Sequence, residues 1–341
     1  WFILLGGALA LLAGMLVVVL AEALVPTGSL PGVLFIIRGS RARAHRLRRY
    51  VEITRILARH GMLPYLRGAR RAELASGEGR RALARSVARA LEEGGVTFVK
   101  LGQVLATRHD LLPPEFVAEL GRLQDDAATI EWSEVEAVVA AGLRDPPDAV
   151  FATIDHAPLA AASIAQVHLA MLHDGEAVVV KVRRPGIDTV VEGDLDIVQR
   201  LAERLERRTR WGRGVGAVGL ARGFAEALRE ELDLRVEARN MASVAAAHAA
   251  RAGEPVVHIP SARADLCTAN VLVMERLQGR PLSSIAAADV IGDRPALALA
   301  LFDEVLAEVM LDGVFHADPH PGNVFVLADG RVGLLDFGSV G

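Results

Sequence analysis

Two short strings close together in the chain constrain its fold more than any other feature. The first is HADPHPGN, from His316 to Asn323, and the second is LLDFG, ending at Gly338. Asn323 follows Asp318 by five residues, and Asp336 follows it by eighteen. Between them VFVLADGRVGLL alternates apolar residues about Asp329-Gly330, which predicts strand, tight turn, strand. Such a hairpin returns Asn323 and Asp336 to the same open end. Phosphoryl transfer needs a carboxylate to orient the nucleophile or accept its proton, and Asn and Asp oxygens to hold the magnesium ions that bridge phosphates. Asp318 suits the first task, Asn323 and Asp336 the second. A metal site built on the alternating His316, Asp318 and His320 is the competing reading. It explains neither Asn323 nor the Asp-Phe-Gly triplet, and Pro319 and Pro321 oppose the regular strand it requires.

The lysines add to this. Of 38 basic residues only Lys100 and Lys181 are lysine. A chain that uses arginine almost everywhere keeps lysine where a compact ammonium, rather than a planar fork, fits a crowded site or a phosphate. Lys181 ends the alternating run EAVVVKV, as expected for a lysine that grips nucleotide phosphates. Its partner should be a glutamate on a following helix, and the segment from Arg229 to Asn240 offers Glu231, Asp233 and Glu237. Asp233 and Glu237 are four apart, on one face of a continuous helix, where like charges repel unless cations meet them. We assign Glu237 to Lys181, and Glu231 and Asp233 to Lys100. A solvated acidic face, eased by Glu231–Arg235 and Arg229–Asp233 pairs, is the plain alternative. The run PLAAASIAQVH, from Pro158 to His168, places Ala161, Ala162, Ser163 and Ile164 where a phosphate-covering loop is expected, with methyl groups in place of glycine freedom. In VLVMERLQG, Met274-Glu275 stands where a hinge would meet adenine.

The rest of the chain divides by texture. Its 341 residues suggest two domains. Residues Trp1 to Ala21 carry no charge and the apolar run reaches Val25, long enough for a transmembrane helix, with six arginines between Arg38 and Arg49 as its cytoplasmic flank. A signal peptide or a buried helix would read similarly, but no basic leader precedes the run. Val51 to Ala140 has helical periodicity. Gly94-Gly95 breaks one helix, Thr97 is placed to cap the next, and Pro146-Pro147 marks a boundary. Strands are expected at Phe151–Ile154, Ile164–Leu169, Ala177–Val182 and Asn270–Glu275, and helices over Thr189–Arg208, Leu220–Ala250 and Pro295–Asp312. A net charge of −4 speaks against a nucleic-acid binder. One cysteine, Cys267, provides neither an internal disulfide nor a zinc cluster.

In order along the chain, VKLGQ, AAASIAQVH, VVVKVRRPG, EELDLRVEARN, MERLQG, FHADPHPGN and DFG resemble the UbiB/ADCK family of atypical kinases. The resemblance implies an α+β, protein-kinase-like two-lobed fold: a transmembrane helix over 1–25, a helical extension over 38–147, an N-lobe over 148–280 and the start of a C-lobe over 281–341. The chain begins without methionine and stops three residues after the Asp-Phe-Gly triplet, so a fragment with a truncated C-lobe is expected. By resemblance Lys100, Gly102 and Gln103 gate the site against Glu231 and Asp233, and ATP with Mg2+ is the cofactor. The partners implied are adenine nucleotide, a membrane lipid or prenylated quinone precursor, and a lipid-biosynthesis complex. The implied activity is that of a membrane-bound ATPase or small-molecule kinase supporting ubiquinone or other isoprenoid-lipid metabolism. An orthodox protein kinase and a nucleotide-switched lipid-binding scaffold are the alternatives.

Overall fold

A computed structural model describes residues 48–62, 75–123, 127–251, 257–285 and 294–341. The apolar run Trp1–Val25 lies outside them. Among the described residues no helix is long and apolar enough to cross a membrane.

In chain order the helices used below are α1 (residues 48–59), α2 (Gly77–Gly94), α3 (Val96–Ala106), α4 (Pro114–Leu120) and α5 (Trp132–Leu143). Strands β1 (Phe151–Ile154), β2 (Ala160–Ala161), β3 (Ala165–Leu172) and β4 (Ala177–Arg183) follow, then α6 (Ile187–Arg208), α7 (Ala217–Glu231) and α8 (Leu234–Ala250). After β5 (Val257–His258), β6 (Val271–Glu275) and β7 (Gly279–Pro281) come α9 (Arg294–Ala307), β8 (Val324–Leu327) and β9 (Val332–Leu334).

The chain forms two compact units, residues 1–126 with 186–228, and 127–185 with 229–341. This redraws the expected division. Helix α5 belongs with the strands, whereas α6 and α7 as far as Leu228, expected inside an N-lobe, belong with the early helices. The proline pair at 146–147 is therefore no boundary. Pro147 opens a single helical turn that leads directly into β1.

In the first unit Ala88, Val99, Leu120 and Leu123 bury one core among α2, α3 and α4. Tyr50 and Ile197 bury another between α1 and α6, beside the two-point ion pair of Arg49 with Asp194 at 2.7 and 3.0 Å. Gly95, at φ 92°, separates α2 from α3. Thr97 does not cap α3, as its position had suggested. It lies inside the helix, fully buried.

In the second unit an antiparallel sheet runs β1-β3-β4-β6, with β2 paired to β3, and a second sheet runs β5-β9-β8-β7. Strand alternation decides what each face meets. Val178, Val180 and Val182 of β4 pack with Val135 and Val139 of α5. Val179 points the other way, into a core shared with Leu234, Met241 and Val244 of α8 and with Leu334 and Phe337. The β3–β4 turn, from His173 to Gly175, needs glycine because Gly175 adopts φ 90°. The expected helix Leu220–Ala250 is two helices, broken between Glu231 and Leu234. Asp233 adopts an extended conformation there and caps α8 rather than lying on a helix face. The helix expected over Pro295–Asp312 is α9 followed by a π-helical turn, Glu308–Asp312.

Candidate active site

The alternation that buries Val179 also aims Lys181 at α8, where Glu237 occupies the first helical turn. Lys181 Nζ donates to Glu237 Oε1 at 3.0 Å and Oε2 at 2.8 Å, and lies 3.7 Å from Asp336 Oδ1. The Glu237 side chain is almost wholly buried, whereas that of Asp336 is about half exposed. Burial by itself would lower the Lys181 pKa. The Asp336 carboxylate, followed by Glu237, outweighs that and keeps the ammonium charged well above its ordinary range. Burial pushes Glu237 the other way for an acid, upward, with Lys181 opposing the shift and Asp336 adding to it. Glu231 contributes negative charge to both partners.

The second half of the site is held together through the backbone. His316 is 2 % exposed, and its Nδ1 accepts the Asp318 N–H at 3.1 Å. Its proton therefore resides on Nε2, which donates to the Leu335 carbonyl at 2.9 Å. The ring meets Phe337 edge-on, with centroids 4.9 Å apart. Asn323 closes the loop, since its Nδ2 donates to the Asp318 carbonyl at 3.2 Å and its own carbonyl accepts the Leu335 N–H at 2.8 Å. The hairpin β8–β9 thus returns Asn323 and Asp336 to one end, as the sequence predicts, with Gly330 at φ 85° in its turn. Asp336 itself adopts φ 63°, a left-handed conformation uncommon outside glycine and costing about 1–3 kcal/mol where the surroundings impose it. Asn240 of α8 secures the next peptide by donating to the Phe337 carbonyl at 2.8 Å. The carboxylates of Asp318 and Asp336 remain exposed, at 62 % and 53 %.

Ala161 ends β2, and Ala162 to Ile164 form the bend into β3, closed by the Ala162 N–H donating to the Ala165 carbonyl at 2.9 Å. Arg184 pins this bend, with Nε donating to the Ala162 carbonyl at 2.8 Å and its amide to the Ile164 carbonyl at 2.9 Å. Among the described residues, Ser163 Oγ is buried without a hydrogen-bond partner. At the end of β6 the Glu275 carboxylate is engaged by His258 at 2.8 Å and by the Ser261 N–H at 3.2 Å.

The residues expected to gate the site fall in different units. Lys100, Gly102 and Gln103 lie on α3 in the first unit, and Glu231 and Asp233 lie in the second. Gly102 is buried within the first unit. A methyl group there would overlap Leu123 Cδ1 and press on Leu91 Cδ1 at 3.0 Å, so the missing side chain makes room for leucines of its own unit. Gln103 Nε2 donates to the Leu123 carbonyl at 3.2 Å. Asp233 pairs with Arg235, through Nε at 2.8 Å and a terminal nitrogen at 2.7 Å.

Sequence reading missed a buried polar pair on β3. Gln166 and His168 are both fully buried; Gln166 exchanges two hydrogen bonds with the Ile130 backbone and reaches His168 Nε2 at 3.0 Å. His168 Nδ1 in turn donates to the Asp155 carbonyl at 2.8 Å. The available signal was two polar residues two apart in an apolar strand, hence on one face. They fasten the segment before α5 to the sheet.

Comparison with known proteins agrees with this geometry. Residues 122–341 match the model of the ABC1 atypical kinase-like domain. The slr0889 protein of Synechocystis sp. is 37% identical over 259 residues, covering 74% of this chain and 63% of its own length. A probable protein kinase, UbiB, of Marinobacter nauticus is also 37% identical, over 257 residues, covering 74% of this chain and 46% of its own. Among solved structures, the Mycobacterium tuberculosis Rv3197–erythromycin complex superimposes with a TM-score of 0.51 at 30% identity, covering 71% of this chain and 60% of that one. The chain thus spans between about half and two thirds of the proteins it matches. Its α+β fold is kinase-like, and the expected resemblance to the UbiB group is borne out. With its sheet lysine, helix glutamate and paired catalytic-loop and Asp-Phe-Gly segments in this arrangement, the chain belongs to the ABC1 family of atypical kinase-like proteins.

Proposed function

We propose that this chain is the nucleotide-handling part of a membrane-associated, Mg-ATP-dependent ATPase or small-molecule kinase that supports ubiquinone or other isoprenoid-lipid metabolism. The observation that carries the reading is the Lys181 ammonium between the Glu237 and Asp336 carboxylates. Lys181 would hold nucleotide phosphates, with Glu237 orienting it. The exposed carboxylate of Asp336 and the side-chain oxygen of Asn323, whose amide nitrogen is already engaged, suit Mg2+, which takes a few protein oxygens beside phosphate and water. Bound Mg2+ would neutralise phosphate charge. Asp318, whose carboxylate is exposed and whose backbone is fixed on both sides, would orient water or a hydroxyl acceptor. One solved relative is a complex with erythromycin, a small molecule, which supports a small-molecule reading over a protein substrate.

The apolar run before Val25 and the arginines after it support attachment to a membrane, with the kinase-like part on the cytoplasmic side. Lys100 and Gln103 on α3, and Glu231 at the end of α7, are the residues that the family resemblance assigns to gating of turnover. Asp233, committed to Arg235 and to the start of α8, is reassigned from that gate to a helix cap.

Calorimetry and turnover assays on the full-length protein test the reading. Adenine nucleotide should bind only with divalent cation present, and turnover should rise on vesicles carrying prenylated quinone precursors. Asp336→Asn should weaken metal-dependent binding, whereas Asp318→Asn should spare binding and lower turnover. Equal affinity in magnesium and in chelator would overturn it.

A further inference from the structure

A buried cluster behind the catalytic loop has no part in the chemistry above. Its centre is Glu308, fully buried at the start of the π-helical turn that ends α9. One carboxylate oxygen, Oε2, accepts the His316 N–H at 2.9 Å, and the other, Oε1, lies 2.9 Å from His248 Nε2 on α8. The Glu308 carbonyl accepts the Gly313 N–H at 3.0 Å, five residues on, so side chain and main chain both fasten onto the stretch from Gly313 to His316. His248 Nε2 is also 2.9 Å from Glu304, which Arg251 meets in turn, and Arg251 Nε lies 3.3 Å from Asp312. Ligand-type atoms of His248, Glu304 and Glu308 fall within 4.8 Å of one another, a spacing a divalent ion would accept. The Arg251 guanidinium beside Glu304 already provides the compensating positive charge, which disfavours a second cation there.

We propose that Glu308, held by His248, is a positioning residue for both halves of the active site. The His316 ring ties the Asp318 amide to the Leu335 carbonyl, one residue before Asp336. Whatever fixes His316 therefore fixes the backbone of the acid that orients the acceptor and of the acid that suits the metal. Among the described residues, Glu308 is the side chain that accepts the His316 N–H. His248 connects this point to α8, the helix that also carries Glu237 and Asn240. One buried carboxylate thereby links the helix that orients Lys181 to the loop that carries Asp318.

Hydrogen bonds from charged groups are the strong ones, and a buried partner left unsatisfied costs more than the bond is worth. Glu308→Gln keeps the shape and removes the charge. Its single amide oxygen cannot accept from His316 and from His248 together, so one bond is lost. A misplacement of about 1 Å in a positioned reacting group costs up to roughly a hundredfold in rate. The role rests on the activity proposed above, so the experiment has two readouts on the full-length protein. Hydrogen exchange should accelerate at residues 316–318 in Glu308→Gln, with the β8–β9 hairpin unchanged. ATP turnover should show kcat falling by about tenfold or more and KM moving by less than about threefold. His248→Gln, whose amide can donate from nearly the place of Nε2, should recover most of what His248→Leu loses. Unchanged exchange at 316–318 in Glu308→Gln, or a loss in kcat matched by an equal rise in KM, would overturn the proposal. If the wild-type protein turned over no nucleotide, the proposed function would fall while the exchange data still decided the positioning role.

Discussion

The surroundings of the chain's two lysines differ in a way their sequence motifs do not reveal. Around Lys181 the residues that the motif names converge on the lysine itself, with Glu237 at 2.8 Å and Asp336 at 3.7 Å. Around Lys100, Gly102 makes room for Leu91 and Leu123, and Gln103 binds the Leu123 carbonyl. The first motif assembles a charged constellation, and the second also builds the helical unit that carries it. A motif that recurs in a family can be kept for either reason, and only the contacts separate them.

The largest effect should follow from breaking the Lys181 constellation. Lys181→Met leaves Glu237 buried with no cation. Removing one member of a buried ion pair typically costs about 3–5 kcal/mol. Partial exposure of Lys181 and protonation of Glu237, whose pKa burial already raises, place the expected loss near the lower end. Turnover should be lost as well. The double variant Lys181→Met/Glu237→Met should recover most of the stability and none of the turnover. Urea denaturation of the wild type, both single variants and the double variant checks this. Additive losses would mean that the two side chains are not energetically a pair.

A middle-sized effect should come from Gly102. A valine there must displace the Leu91 and Leu123 side chains within a packed core, and overpacking of that kind costs about 1–3 kcal/mol. The decisive observation is which property moves. Lowered stability with nucleotide affinity intact assigns Gly102 to packing alone, whereas a turnover defect at wild-type stability returns it to the gate. Lys100→Arg sharpens the contrast from the other side, since it keeps charge and enlarges the head. A turnover change coupled to Glu231→Gln in a double-mutant cycle is expected, and strict additivity would remove the gate.

How much of this was legible beforehand depended on how local each determinant is. The hairpin that returns Asn323 to Asp336 could be read because strand alternation and an Asp-Gly turn are properties of neighbours. Pairing Lys181 with Glu237 drew on the kinase-type expectation of a glutamate on a following helix and on having only two lysines to share among Glu231, Asp233 and Glu237. The break before Leu234 was misread because its cause is a single side chain. Asp233 accepts the Arg235 N–H at 3.1 Å, which favours stopping one helix and starting another where periodicity alone reads through. Gln166, His168 and Glu308 escaped for a different reason. Their partners are backbone groups 36, 13 and 8 residues away, and no local pattern marks which distant carbonyl or amide a buried polar side chain will meet. Grouping α6 with the early helices is likewise a tertiary fact, carried by contacts such as Arg49 with Asp194, 145 residues apart.

The smallest effect concerns Asp233, and it decides whether the acidic run is one functional patch or two different devices. As the cap of α8, Asp233 satisfies one amide of the first turn and places a negative charge at a helix N-terminus. Replacing such a cap by alanine costs about 1 kcal/mol. The Arg235 hydrogen bonds hold the Asp233 carboxyl below the usual carboxylate range, with burial opposing them. A depressed carboxylate pKa means that the unfolded chain takes up the proton first as pH falls. The cap's contribution is therefore fully present above the unfolded aspartate range and is lost as pH drops through the folded value. Asp233→Asn keeps an acceptor oxygen and abolishes titration, so its stability deficit should be smaller than that of Asp233→Ala at neutral pH and should shrink in acid. Thermal melts of the three proteins between neutral pH and about pH 3, the region spanned by ordinary aspartate titration, measure both quantities. A deficit in Asp233→Asn that stayed constant down to acid pH would show that the charge contributes nothing, leaving the cap oxygen alone to account for the break between α7 and α8.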